Sequence, residues 1–166
     1  MIARGVFGAT AGAYAMLLLI VAGLLPGRVP MHFDASGDVD RWAGSTEAVV
    51  TFGLVGLFVV AALGGTAAVA GRIPLSLLNV PHKSWWTAEP ARERRMREML
   101  RVDMYRLGTI TLIFFGVLVV LTVRAARLAT PHLDAWLWVA VGLYLAVVVG
   151  LLVHDSRVRY RPEPAG

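Results

Sequence analysis

The chain has 166 residues, 57% of them hydrophobic and only 16% charged, with a mean hydropathy of +0.66. A soluble domain of this size is nearer a quarter charged and has too much surface to hide so much apolar side chain, so an ordinary soluble fold is excluded and a lipid environment is implied. The net charge is +5, from 16 basic and 11 acidic residues, and the absence of cysteine excludes disulfides, thiolate chemistry and Cys-ligated zinc.

Four uncharged stretches follow one another along the chain. They lie between Arg4 and Arg28 (23 residues), Glu47 and Arg72 (24), Arg106 and Arg124 (17), and Asp134 and His154 (19). A helix rises about 1.5 Å per residue, so about 20 residues match a hydrocarbon core of roughly 30 Å. Helices are required because lipid offers no partner to unpaired backbone groups. The reading is one all-α domain over 1–166, an integral membrane four-helix bundle with spans at about 5–26, 48–71, 104–126 and 134–153. The first stretch is too long for a signal peptide and lacks a small-x-small site, so it is expected to remain as a span.

Within the first two spans, Gly8-x-x-x-Gly12 and Ala61-x-x-x-Gly65 have the spacing that lets helices approach closely. Packing inside the bundle is the favoured use, and a homodimer face is the other.

The segment joining the first two spans is the most informative. About 19 residues from Arg28 to Thr46 far exceed what is needed to connect two helices. Pro26 ends the first span and Pro30 stiffens the exit. His32 and Phe33 precede a turn-rich centre of Asp34, Ser36, Gly37 and Asp38, and Trp42 returns the chain to the interface. Asp34, Ser36, Asp38 and Asp40 alternate like the first ligands of a calcium loop. The glycine and the final glutamate of such a loop are misplaced, so a solvated acidic turn is expected. His32, His132 and Asp34 could ligate zinc, but they are far apart in sequence and no metal or other cofactor is assigned.

The second connection is basic. Trp85 and Trp86 beside Lys83 have the chemistry of a headgroup-level anchor. Pro90 suits a helix N-terminus after Glu89 or Thr87. Met96, Met99, Leu100, Met104 and Leu107 recur at spacings of three and four, which predicts a basic amphipathic helix running into the third span. Glu93–Arg97 and Arg94–Glu98 are expected as i,i+4 pairs. The tail from Arg161 to Gly166 carries two prolines and is expected to be disordered.

Twelve basic residues fall on one side of the four spans and four on the other. The positive-inside rule then places both termini and the basic connection in the cytoplasm, with the Arg28–Thr46 loop and the Arg127–Leu133 turn outside. Basic residues gathered at span ends suit lipid headgroups rather than nucleic acid. Fifteen of the 16 are arginine, a bias that suggests GC-rich coding and a bacterial cell (inner) membrane. The spans hold almost nothing ionisable, and no catalytic motif occurs, so no enzyme is expected.

The run Leu25-Pro26, Val29-Pro30, His32-Phe33, Gly37, Asp40, Trp42 resembles the Leu-Pro-x-x-Ile-Pro-x-His-Phe-x-x-x-Gly-x-x-Asp signature of an uncharacterised bacterial membrane domain. That domain of unknown function also forms the N-terminal part of SdpI-type toxin-immunity proteins. Asn79-Val80-Pro81-His82-Lys83-Ser84-Trp85-Trp86 resembles the family's Asn-x-Pro-Asn-Lys-x-Tyr-Trp segment, with His82 where that motif has asparagine. The resemblance implies a membrane topology and an extracytoplasmic recognition loop. The candidate binding residues are Pro30, His32, Phe33, Asp34, Gly37, Asp40 and Trp42. Asn79, Pro81, Lys83, Trp86, Arg94 and Arg95 are the candidate contact with a cytoplasmic protein. The leading expectation is a non-enzymatic protein that senses or binds at the outer face in an envelope-stress or immunity-like system. An accessory transporter subunit and a metal-dependent membrane enzyme are the alternatives.

Overall fold

The computed structural model describes residues 1–34, 36–132 and 135–162. In chain order these form helix α1 (Ile2–Ala22), strands β1 (Val29–Phe33) and β2 (Val39–Ala43), helix α2 (Ser45–Val69), the short α3 (Lys83–Trp86), the long α4 (Pro90–Ala126) and α5 (Ala135–His154). Helix α2 contains a π turn at Val60–Gly64, and α5 continues as another at Asp155–Arg159. Among the described residues, α1, α2, α4 and α5 are long and apolar enough to cross a membrane. The chain is a multi-pass membrane protein built as a helical bundle.

Helix α4 is the hub, with α1, α2, α5 and β1 all packed on it. The seam against α1 has a seven-residue repeat on both sides. Phe7, Tyr14 and Val21 of α1 meet Tyr105, Leu112 and Val119 of α4 in one core, joined by Val59 and Ala67 of α2. A repeat of seven keeps one face of each helix turned to its neighbour along the whole crossing. Glycines make room for the rings. A Cβ on Gly108 would fall 2.5 Å from the Phe7 ring, and one on Gly56 would fall 2.3 Å from Tyr14. Tyr14 also donates its hydroxyl to the Phe52 carbonyl at 2.9 Å.

The glycines singled out from spacing face elsewhere. A Cβ on Gly8, Gly12 or Gly65 would meet nothing within 4 Å. Packing inside the bundle is therefore not their role, because rings at Phe7 and Tyr14 already occupy the inward face of α1. Helix α5 also departs from a symmetric bundle: it packs chiefly on α4 and buries none of its residues.

The basic amphipathic helix and the third span form one continuous helix of 37 residues. Pro90 opens it after Glu89, whose backbone is extended (φ −137°, ψ 139°). The expected Glu93–Arg97 pair is present at 2.8 Å, whereas Glu98 turns to Arg101 at 2.9 Å instead of Arg94. The methionine stripe seals a second core in which Met96, Trp86, Leu78, Val80 and Tyr160 are buried, flanked by Met99 and Leu100. Arg97 closes the end of α2 by donating to the carbonyls of Ala70 (2.9 Å) and Ile73 (2.8 Å). His82 adopts the left-handed conformation (φ 53°), one that histidine reaches more readily than most residues. Of the Arg161–Gly166 tail, residues 163–166 lie outside the described residues, as do Leu133 of the second short turn and Asp134 at the expected start of the fourth span.

Candidate functional site

The long connection between α1 and α2 is a β-hairpin, not an irregular loop. Val29 pairs with Ala43, Pro30 with Trp42, His32 with Arg41 and Phe33 with Val39, and the ladder slips on both sides of His32. The burial pattern is interrupted rather than alternating: Val29 and Pro30 are both buried, while His32, Asp40 and Arg41 stay exposed. The slips are bulges, which re-aim side chains locally. Here they accompany a close pairing of His32 and Asp40. The ring Nδ1 donates to Asp40 Oδ1 at 2.6 Å, leaving Nε2 available to a partner. The two side chains are 65% and 44% exposed, so the pair orients the ring without removing it from solvent.

The hairpin tip is set by Asp34. Its Oδ1 accepts from the Ser36 amide (2.9 Å), the Ser36 hydroxyl (2.6 Å) and the Asp38 amide (3.1 Å). The Ser36 hydroxyl and the Asp38 amide hold the carboxyl below its ordinary range, with smaller help from the Ser36 and Gly37 amides. Gly37 takes φ 89°, a conformation that strains any residue with a Cβ. The alternating acidic residues thus serve a self-contained turn, with Asp34 spent on its own amides and Asp40 on His32. Among the described residues, no group of three or more His, Asp or Glu is placed to hold a metal ion. His132 stands apart from His32: its Nδ1 faces the Thr130 carbonyl at 3.2 Å.

The base of the hairpin is anchored by charge and ring. The Arg28 guanidinium lies 4.5 Å from the Trp42 ring centroid, and Arg41 pairs with Glu47 at 2.9 Å. The backbone of Asp38 bridges to His132 in the α4–α5 turn. The two connections on this face are therefore joined above the end of α4. Beneath them is a cavity of about 230 Å³. Its roof is Pro30, Met31 and Phe33, its floor is Phe52, Leu118 and Leu121, and Thr122, His132 and Leu137 complete its rim. Three of the four spans and both connections contribute to it. Apolar walls with few polar groups are the usual composition of a ligand pocket.

The seven hairpin candidates thus divide by task. Pro30 and Phe33 line the cavity, His32 and Asp40 form the exposed pair, Asp34 and Gly37 build the tip, and Trp42 anchors the base. The basic candidates are less unified. Asn79, Pro81, Arg94 and Arg95 are exposed and Lys83 is half-buried. Trp86, expected as a contact and as a headgroup anchor, is instead only 2% exposed. Its indole packs edge-on to Trp85 and Tyr160 and donates to the Tyr160 carbonyl at 3.0 Å. A buried donor must find an acceptor, and the folded-back chain end provides it. Trp85 is the outer of the pair, with the Arg92 guanidinium 4.2 Å from its ring centroid.

Reading by motif missed the polar cluster beside Trp86. The Tyr160 hydroxyl donates to Asp103 Oδ2 at 2.8 Å, and Arg159 approaches Asp103 Oδ1 at 3.3 Å. Burial first, then the hydrogen bond to Asp103 and its charge, push the Tyr160 hydroxyl above the ordinary phenol range, so it remains a donor at neutral pH. Asp103 shares the basic run from Arg94 to Arg106 with Glu98, so its charge alone did not mark it. Its partner lies 57 residues away, beyond the reach of any local pattern.

Residues 9–59 match the family model described as Domain of unknown function (DUF1648). The matched segment contains most of α1, the whole hairpin and the first part of α2, and so includes the cavity's roof and Phe52 of its floor. Comparison with curated proteins and with solved structures finds no match.

Proposed function

We propose that the protein is a non-enzymatic recognition protein of the bacterial inner membrane, binding at the outer face in an envelope-stress or immunity-like system. The observation that carries this reading is the cavity of about 230 Å³ roofed by the hairpin, the same hairpin that presents the exposed His32–Asp40 pair to solvent. An apolar group of a ligand would fill the cavity, while Nε2 of His32 offers a polar contact on the outer surface of the same hairpin. Leu137 on the rim belongs to α5, whose far end carries Arg159 and leads to Tyr160. Helix α5 buries none of its residues, so it is the span most free to shift when the cavity is filled. Its movement would reach the basic platform of Lys83, Arg94 and Arg95, the proposed contact with a cytoplasmic protein. Both termini are proposed to be cytoplasmic from the 12-to-4 distribution of basic residues.

Two experiments test this. Alkaline phosphatase fused to the C-terminus is expected to be inactive, and activity there would reverse the orientation. In the second, a bacterium expressing the protein is challenged with secreted membrane-active peptides. His32→Ala and Asp40→Ala are expected to lose protection at unchanged abundance and unchanged detergent melting temperature. A fall in melting temperature in step with protection would make the hairpin a structural cover.

A helical partner is the second reading, either another copy of the chain or a transporter to which it is an accessory. The uncovered Gly8 and Gly12 on α1 favour it, since a Cβ at either meets nothing within 4 Å. Gly12→Ile should abolish such a complex in mild detergent and leave peptide protection intact if recognition alone is the function.

A further inference from the structure

A groove of about 520 Å³ runs between α4 and α5 on the lipid-facing side of the bundle. Ile113 and Val117 form one wall and Ala140 and Leu143 the other. Its lining extends on α4 from Ile110 to Arg124, so it is about 21 Å long at 1.5 Å per residue. One leaflet of a bilayer is about 15 Å of hydrocarbon, so the groove covers the full depth of a leaflet. The floor is firm: Phe114 and Tyr144 stack at 4.4 Å between centroids, and the Tyr144 hydroxyl is 3.2 Å from that of Thr111.

The two ends of the groove differ chemically. The deep end is apolar and aromatic. The end toward the hairpin holds Arg124 and Trp136, the pairing expected at headgroup level. Both already have partners within the chain. A guanidinium has five N–H donors, however, and can serve a second acceptor, with a geometry that matches phosphate. The groove thus has a cation at headgroup level and apolar walls below it.

We infer that the groove is a specific site for a phospholipid with an anionic phosphate headgroup, its acyl chain lying between α4 and α5 and its phosphate on Arg124. A lipid fits better than a helix, because among the described residues the lining is apolar and aromatic apart from one charge, Arg124, at the hairpin end. The site shares Leu121 with the cavity under the hairpin. It nevertheless stands or falls without the recognition reading, since its test involves no ligand of the hairpin.

The experiment uses the full chain in phosphatidylcholine liposomes titrated with brominated phosphatidylglycerol or brominated phosphatidylcholine. Quenching of Trp136 is taken as the difference between the native chain and Trp136→Phe. The anionic lipid should reach half-maximal quenching at roughly one fifth of the mole fraction needed by the zwitterionic one, the preference that a single headgroup-level arginine confers. Arg124→Gln should abolish that difference while both lipids still quench. Ala140→Phe should weaken quenching by both, and Ala140→Leu, a smaller filler, is carried beside it with helicity measured for each. Equal quenching by the two lipids in the native chain would overturn the inference, as would a preference surviving Arg124→Gln. Absence of any Trp136 quenching would also overturn it, and would point to a helix of a second copy in the groove.

Discussion

His32 and Tyr160 each donate a hydrogen bond to an aspartate, at 2.6 Å to Asp40 and 2.8 Å to Asp103, on opposite faces of the membrane domain. The hairpin pair is open to water, with Asp40 44% exposed, whereas the Asp103 side chain is 12% exposed. In water such a bond is nearly balanced by the hydration it replaces, so it adds little stability and serves to orient the ring with Nε2 open to solvent. In the buried cluster, losing the partner strands a carboxylate away from solvent. The same chemical pairing is therefore weak and exposed on the hairpin face, as the proposed recognition role requires, and serves fixation on the platform face.

The contrast is broken most severely at Trp86. Trp86→Ala should cost about 3–5 kcal/mol, by cavity formation in the platform core and loss of the anchor for Tyr160. Detergent melting and faster proteolysis of the chain end would register it, with the hairpin unaffected. Tyr160→Phe removes only the hydroxyl and should cost about 1–3 kcal/mol, because Asp103 then loses a buried donor. His32→Ala, by contrast, should change stability by no more than about 1 kcal/mol in the same melting assay.

The smallest effect concerns pH. Asp34 has its carboxyl lowered from the ordinary 3.8 by the donors of its own turn. A lowered folded value means the turn is fully stabilised above pH 3.8 and loses that contribution as pH falls through the lower value. Protection of the Ser36 and Asp38 amides, measured against exchange of unstructured amides at the same pH, should therefore hold above the ordinary carboxyl range and be lost as pH falls below it. No such transition is expected for Asp34→Asn.

Much of the architecture was legible because lipid makes a simple demand: long uncharged runs must be helices. The unbroken α4 was readable from Pro90 and the Met96, Met99, Leu100 stripe, which repeat at helical spacing. The hairpin residues were readable as a group, but not as strands. Pro30 and two bulges interrupt the alternation that marks a strand, and His32 meets Asp40 only across a slipped ladder. The glycines misled for a different reason. Spacing identifies a small face but not which way it turns, and the rings of Phe7 and Tyr14 turn Gly8 and Gly12 outward. The sevenfold repeat Phe7, Tyr14, Val21 against Tyr105, Leu112, Val119 was present in the sequence, masked by equally apolar neighbours on every side. Asp103 and Tyr160 had no local signal at all.

The absence of cysteine allows a direct test of whether α5 must shift against the hairpin for the proposed recognition. Met31→Cys on the roof and Leu137→Cys on the rim would be bridged by a reducible bismaleimide and the bridge verified by mass. The cell would then be challenged with membrane-active peptide before and after reductant. Protection should be lost while the bridge is intact and return when it is cleaved. Full protection with the bridge intact would contradict the assignment of this cavity as the recognition site.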